Sequence, residues 1–515
     1  MHELEYALKT PISHRKDCGQ FFTPLSVARL MAKWILKDDP KSILDPAFGL
    51  GIFYDAIHQI NPHKNFQLTA YEIDNFILSY LNFHRNKKNL KLLNKDYLET
   101  DLTLYDAIIC NPPYLRFQKF LTRHDVLPKI EKQLGKNLLG YSNIASVFLV
   151  KSLNELKLNG RLAFIMPFEF FNTGYGKEIK KSLLDNGLLK QIVIFSNEKD
   201  IFPDATTTVC ILLCKNDGRT ESIKIARIDA KEEIDRLSNF SNFYRFKIHP
   251  SDLPYNKKWT PIILSLFSKR KLPPGLVNFS LYGAFKRGIA TGANEFFALS
   301  KSAIEELNID EGNWCKCVTK SQQITRAIFT EDDFNALADA NKPIYCLDAK
   351  DEDNLAVINY IKKGEKLGYH QRYLTKNRSP WYKIESRQPA LILFGVFSRG
   401  RLKVIRNLTN AINFTCFHGF YPNMFGEQLI DKLFVYLLSD IGQEIIKTNK
   451  RSYADNLDKF EPGDLNDSLC PSQTQLAMVS DREALTIIAT AKNDEQLAIK
   501  MSNDLISRIL QVTFP

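Results

Sequence analysis

The sequence predicts an α/β fold: a seven-stranded, mostly parallel sheet covered by helices, followed by a domain of mixed α+β type. Three observations predict it. Over residues 1–215, short β-rich apolar runs alternate with longer helical patterns. After about residue 245 that rhythm is lost, and Pro254, Pro261, Pro273 and Pro274 punctuate a linker-like stretch. The 515 residues also exceed what one hydrophobic core usually holds. The expected domains are therefore 1–245 and 246–515.

The expected strands are Ser42–Asp45, Gln67–Glu72, Leu90–Leu93, Tyr105–Cys110, Arg161–Met166, Gln191–Phe195 and Thr208–Cys214. Helical stretches between most of them imply parallel strands with both faces covered. The last two strands lie close in sequence, so one of them is expected to run antiparallel. The clearest helix spans Leu25 to Leu36, with Val27, Leu30, Met31, Trp34 and Ile35 on one face. Thr23 is expected as its N-cap and Pro24 as its first helical residue. In the second half, Ala390–Phe397 reads as a strand and Thr474–Gln511 as a helical tail.

Composition narrows the class. Lys+Arg total 69 against 58 Asp+Glu, a net charge of +11 that suits a polyanionic partner. No apolar run reaches membrane-spanning length, and the N-terminus lacks an apolar signal-peptide core, so a cytoplasmic protein is expected. Nine scattered cysteines do not form a disulfide framework, and no second pair accompanies Cys315 and Cys317 at metal-ligand spacing. Reduced thiols and no metal site are expected.

Three strand ends in order suggest a ligand. The first strand runs into Asp45-Pro46-Ala47-Phe48-Gly49-Leu50-Gly51. Glycines after a strand let the backbone turn tightly and approach a ligand, and an acid at the strand tip suits a cation such as an amino-acid ammonium. Neither GxGxxG nor GxxxxGK[ST] is present. The second strand ends in Glu72-Ile73, where a carboxylate accepts hydrogen bonds from ribose hydroxyls. After the third come Asp96 and Tyr97, a carboxylate beside a flat ring, which suits an adenine. A nucleoside carrying an amino acid, S-adenosylmethionine, fits this order.

The fourth strand leads into Asn111-Pro112-Pro113-Tyr114. Two prolines fix the loop and remove two backbone donors, leaving carbonyl acceptors. Asn111 adds a side-chain carbonyl. Converging acceptors suit an exocyclic amine, whose lone pair becomes nucleophilic when its two N–H groups are held out of the ring plane. Tyr114 offers a face on which a base can stack.

These motifs, in this order, resemble those of the gamma-class DNA adenine-N6 methyltransferases of type II restriction–modification systems with a TaqI-like C-terminal specificity domain. Gly19-Gln20-Phe21-Phe22-Thr23-Pro24 resembles motif X, Asp45 to Gly51 motif I, Glu72 motif II, Asp96 motif III and Asn111 to Gln118 an extended motif IV. Ser142-Asn143, Arg161–Pro167 and Gly174-Tyr175-Gly176 resemble the middle motifs, and Ile201-Phe202-Pro203-Asp204 motif VIII. The resemblance implies a Rossmann-like class I methyltransferase domain using S-adenosylmethionine. It implies that Asp45 holds the methionine ammonium, that Thr23 and the glycine-loop backbone hold the methionine end, and that Glu72 binds the ribose. Asp96 is implied to bind the cofactor adenine amine with Tyr97 alongside. Asn111 and the Pro112 carbonyl are implied to hold the target amine, with Tyr114 and Phe202 sandwiching a flipped adenine. A cognate restriction endonuclease and a monomeric state are expected.

The second half is expected to read double-stranded DNA. Residues 361–410 hold twelve Lys/Arg against two Asp/Glu, interleaved with aromatics. Lys376, Arg378 and Lys403 are expected as phosphate contacts, and Arg399 and Arg401, past the run Leu391–Phe397, as base readers. Arg287–Phe297 and Leu457–Leu465 are read as structural landmarks. The residues alone leave open an RNA or protein-glutamine methyltransferase, since NPPY is shared with those classes. A fused restriction–modification enzyme or an inactive specificity subunit also stays open.

Overall fold

A computed structural model describes residues 6, 10–11, 14, 19–20 and 22–512, apart from 63–64, 82–88, 115–122, 135–142, 173–175, 196–200, 203–208, 238–241, 268–271, 351–352 and 454–456. Phe21, Leu115–Gln118, Ser142, Gly174, Tyr175, Pro203 and Asp204 of the quoted motifs lie outside the described residues. The chain divides into two compact units, Met1–Ser268 and Lys269–Pro515.

The first unit is built on a nine-stranded mixed sheet: β1 (Ser42–Asp45), β2 (Gln67–Tyr71), β3 (Leu90–Leu93), β4 (Tyr105–Cys110), β5 (Leu156–Pro167), β6 (Leu189–Phe195), β7 (Val209–Lys215), β8 (Ile223–Ile228) and β9 (Phe246–Ile248). Their order is β3-β2-β1-β4-β5-β7-β6-β8-β9. The seven expected strands are all present, and β8 and β9 extend the sheet beyond the expected count. Strands β1 to β5 pair in parallel. The antiparallel strand is β7, which pairs with both β5 and β6. Strand β8 runs parallel to β6, and β9 antiparallel to β8.

The alternation of side chains fixes which face each strand offers. Ile108 and Cys110 of β4 enter one core, and Ala107 and Ile109 the other, so the strand is apolar on both sides. Helix α1 (Leu25–Ile35) packs its expected apolar face, and Trp34 donates its indole N–H to the carbonyls of Leu162 (3.1 Å) and Cys214 (3.3 Å). Thr23 is not its cap. Pro24 takes the N-cap position with extended backbone (ψ 141), and the Thr23 hydroxyl faces a different partner. Helix α2 (Ile52–Ile60) follows the glycine turn after β1.

The first unit continues past residue 245, contrary to the expected boundary. Strand β9 closes the sheet edge, and helix α3 (Trp259–Phe267) places Trp259, fully buried, 5.1 Å from the Phe171 ring. Pro261 sits in the first turn of α3, where a missing N–H costs nothing. Proline punctuation therefore marks a helix start there and not a linker.

The second unit holds a five-stranded sheet, in the order Gly283–Arg287, Phe417–Pro422, Ile392–Gly395, Val404–Asn407, Ile328–Phe329. A four-stranded sheet adjoins it in sequence. The expected strand at Ala390–Phe397 is shorter, Ile392–Gly395, because Phe397–Ser398 leaves to pair with Leu457–Lys459. The expected tail is three helices, with Ser480 and Asp494 capping the last two and interrupting the pattern. The two landmark stretches meet, with Arg287 donating to Glu461 at 2.8 Å.

Candidate functional site

The carboxyl ends of β1, β2, β3 and β4 open onto one cavity of about 620 Å³. Open sheets place ligands at this edge, because the loops there are free of the ladder. Pro46, Ala47, Phe48 and Gly49 line it after β1, Glu72 and Ile73 after β2, and Asp96 and Tyr97 after β3. Asn111, Pro112 and Pro113 line it after β4, and Thr23 joins from the N-terminal segment. The ordered set of strand ends thus converges on one space.

The loop after β1 is shaped by glycine. Gly49 (φ 54) and Gly51 (φ 84) both occupy the left-handed region, which a side chain resists. Gly49 then turns its N–H to Glu72, donating at 2.9 Å. The other Glu72 oxygen accepts from the N–H groups of Ile73 (2.9 Å) and Asp74 (2.8 Å). With three of about four acceptor positions taken by backbone, Glu72 retains room for roughly one further hydroxyl. Burial pushes its carboxyl above the usual range, against the opposing backbone N–H donors.

Asp45 is fully buried at the end of β1 and does not itself form part of the cavity wall. One oxygen accepts from the Ala47 N–H at 3.3 Å, and Oδ2 has no hydrogen-bond partner among the described residues. Burial, with the Glu72 charge adding to it, raises this carboxyl to about 8. A buried acceptor without a donor is costly, and a cation delivered to it would satisfy it. That chemistry fits the ammonium of an amino-acid ligand. Asp96 spends Oδ1 on the Leu98 N–H at 2.8 Å, capping the short turn Tyr97–Glu99. Burial raises its carboxyl as well.

Asn111 donates its side-chain N–H to the Thr23 hydroxyl at 3.0 Å, which explains why Thr23 does not cap α1. The amide is planar, so this bond directs its carbonyl oxygen away from Thr23. Gly19 O accepts from the Tyr114 N–H at 3.2 Å, a second tie between the N-terminal segment and the loop after β4. Gly51, Tyr114 and Phe202 are not on the cavity wall. Tyr114 packs against both cores of the sheet, and burial drives its phenol far upward. Phe202 is 4 % exposed and meets Phe195 edge-on at 5.2 Å. Both rings pack against neighbouring apolar side chains in this structure.

Sequence reasoning missed part of the wall. His14, Gln20 and Asp74 meet there: Asp74 Oδ2 accepts from Gln20 and lies 2.9 Å from His14 Nε2. Gln20 stood in a quoted motif, but a lone His and an N-capping Asp carry no pattern. Ile144 and Phe148 come from α4 (Ile144–Asn154), whose cap Asn143 was quoted only as a motif.

The expected DNA contacts divide. Arg378 donates to the carbonyls of Thr291 (2.8 Å) and Ala290, Arg401 pairs with Asp440 and the Leu438 carbonyl, and Lys403 donates to Ser321 O. In this structure the donors of these three fasten the second unit itself, and burial lowers the pKa of Arg378 and Lys403. Buried carbonyls demand donors, and long basic side chains supply them. Lys376 and Arg399 are exposed.

An α/β unit with NPPY at the tip of a central strand, above a cavity suited to a nucleoside, defines a methyltransferase acting on an amine. Comparison with known proteins places it more narrowly. Residues 4–251 match the N-6 DNA Methylase family, and residues 256–507 match the type II methyltransferase M.Eco57I C-terminal domain. The type II methyltransferase M.AccI of Acinetobacter calcoaceticus is 35% identical over 520 residues, covering 98% of this chain and 95% of the relative. M.XamI of Xanthomonas campestris pv. amaranthicola is 25% identical over 485 residues, covering 90% and 88%. The type IIL restriction–modification enzyme MmeI, solved in complex with DNA, shares the fold with a TM-score of 0.58 at 13% identity, covering 99% of this chain and 78% of that one. The chain belongs to the N-6 DNA methylase family and is a type II, adenine-specific DNA methyltransferase.

Proposed function

We propose that the first unit binds S-adenosylmethionine in the cavity at the carboxyl strand ends and methylates the N6 amine of an adenine flipped out of double-stranded DNA. The observation that carries this reading is Asn111, held by Thr23 on the wall of the same cavity as Glu72 and Asp96. The cofactor supplies an electrophilic methyl on a sulfonium. Asp45 holds the ammonium, Glu72 the ribose and Asp96 the purine amine, with Tyr97 beside it. The core of the sheet is read as the Rossmann-like, seven-stranded arrangement of class I methyltransferases, with β8 and β9 added.

The target amine lies inside the duplex, paired and stacked, so in-line attack requires the nucleotide to leave the stack, at a cost of about a few kcal/mol. Stacking on Tyr114, worth roughly 1–3 kcal/mol, offsets that. Phe202 joins the slot by turning from Phe195. The Asn111 side-chain carbonyl and the Pro112 carbonyl accept the two amine protons, so the nitrogen lone pair points at the methyl. Positioning and exclusion of water supply the rate, and no strong base is required.

The second unit is read as a TaqI-like specificity domain, with Lys376 and Arg399 on the DNA side. The pairing with a cognate endonuclease, the monomeric state and the cytoplasmic location belong to the same reading. Among the described residues, no helix is long and apolar enough to cross a membrane.

The test is transfer of a tritiated methyl group from the cofactor to duplex DNA, to RNA and to total protein. Label in adenine of duplex DNA, lost in Asn111→Ala, is the expected result. Label in RNA or protein alone, or normal turnover by Asn111→Ala, overturns it.

A further inference from the structure

A buried charged network stands behind the cavity wall. Lys151 and Glu155 lie one turn apart at the end of α4, and their side chains are 0 % and 2 % exposed. Lys151 Nζ donates to Glu155 Oε1 at 2.7 Å and to Thr100 Oγ1 at 3.2 Å. The Tyr97 hydroxyl donates to Glu155 Oε2 at 2.5 Å, and the Thr103 N–H donates to Oε1 at 3.2 Å. The ammonium also lies 4.3 Å from the centre of the Tyr97 ring. Glu155 thereby ties Tyr97 and Thr103, and Lys151 ties Thr100, so the pair fastens three points of the segment between β3 and β4 to α4.

Such a network is a poor device for stability. Removing two charges from water is expensive, and well-packed apolar side chains often replace a buried ion pair without loss. What it supplies is direction. Tyr97 and Asp96 both line the cavity. The Tyr97 hydroxyl is pinned to a carboxylate, and its ring is flanked by Tyr71 at 5.7 Å and Phe148 at 5.2 Å. Asp96 is the next residue back along the chain. Burial raises its carboxyl, and the Lys151 charge is the nearby cation that opposes that rise.

We propose that Lys151 and Glu155 are positioning residues that give the cavity its preference for a 6-amino purine, by fixing the Tyr97 ring and holding the Asp96 carboxylate in place. A carboxylate accepts from an exocyclic amine and repels a carbonyl oxygen at the same position. The preference therefore depends on Asp96 being both ionised and correctly aimed. This rests on the reading that the cavity takes S-adenosylmethionine.

The test compares the affinities of S-adenosylhomocysteine and S-inosylhomocysteine, its 6-oxo counterpart, by calorimetry. Wild type is expected to prefer the amino compound strongly. Lys151→Met with Glu155→Leu removes both charges together, and the preference is expected to fall by about tenfold or more, as for a lost hydrogen bond to a charged group. Tyr97→Phe removes only the hydroxyl that Glu155 accepts, and a smaller fall in the same direction is expected. If the double variant does not fold, Tyr97→Phe alone decides. Equal weakening of both ligands, or no change in the ratio, overturns the proposal, because a merely structural pair would not move the ratio. A wild-type ratio near one, with both compounds bound, leaves the cavity reading standing and overturns this proposal, whereas binding of neither compound by wild type refutes the cavity reading itself and this proposal with it.

Discussion

The side-chain N–H of Asn111 is given to the hydroxyl of Thr23, 88 residues earlier in the chain, at 3.0 Å. One bond thus couples the segment before α1 to the loop after β4, where the proposed chemistry lies. Asn111→Ala is expected to lower methyl transfer by about 100-fold or more, since misplacement of the amine is costly. Binding of cofactor and of DNA should stay near wild type. Thr23→Val removes the anchor and keeps the shape; turnover at saturating substrates should fall by about tenfold, the worth of one hydrogen bond. Single-turnover rates check both. A Thr23→Val enzyme with an unchanged rate would show that Asn111 needs no anchor.

Asp45 gives a pH dependence of defined sign. Its carboxyl titrates at about 8 in the fold against an ordinary value of 3.8. A group raised in the folded state adds stability that is complete below pH 3.8 and is lost as pH rises to about 8. Asp45→Asn cannot ionise, so it should melt higher than wild type at pH 8 and approach it at pH 5. Each pH unit across that window is worth up to about 1.4 kcal/mol. The same variant should bind cofactor more weakly, and wild-type affinity should rise with pH as the carboxylate forms. Melting curves that shift in parallel at every pH would refute the assignment.

Tyr114 separates ring from hydroxyl. Tyr114→Phe should keep most activity, and Tyr114→Ala should lose it, because stacking of roughly 1–3 kcal/mol needs only the ring. Phe202→Ala should behave as the latter. A fluorescent base analogue at the target position reports extrusion; a wild-type fluorescence gain in Tyr114→Ala would remove this tyrosine from the base pocket.

The basic residues of the second unit should sort by what their donors already hold. Lys376→Ala and Arg399→Ala should each reduce the slope of log affinity against log salt by about 0.9. Arg378→Ala strands the carbonyls of Ala290 and Thr291, so it should lower the melting temperature and leave the slope alone. Arg401→Ala should do likewise. Binding across a salt series on cognate and scrambled duplexes checks all four. A base reader would instead lose about 1–3 kcal/mol on the cognate site alone, which is the alternative for Arg399.

The first unit was legible because its signals are local. Strands β1 to β7 are short apolar runs, and the strand ends carry the acids and glycines that the cavity collects. Strands β8 and β9 were not, since Ile223–Ile228 alternates with charged residues and Phe246–Ile248 is three residues long. Thr23 looked like a cap because Thr before Pro is the usual signature; only the fold brings Asn111 to it. Arg378, Arg401 and Lys403 were read from charge density, which does not reveal the internal carbonyls that a guanidinium or ammonium also holds. Their carbonyl partners lie up to 88 residues away.

The position of β7 constrains how the chain comes off the ribosome. It is made after β6 but lies between β5 and β6, hydrogen-bonded to both. Until Val209–Lys215 has emerged, β5 and β6 have no shared neighbour, and the emerging polypeptide carries two apolar strands with open edges. Such edges recruit other chains. A pause in translation before Val209–Lys215 has cleared the ribosome should thus be the point at which this enzyme most needs a chaperone, and one after that strand has cleared it should be far safer.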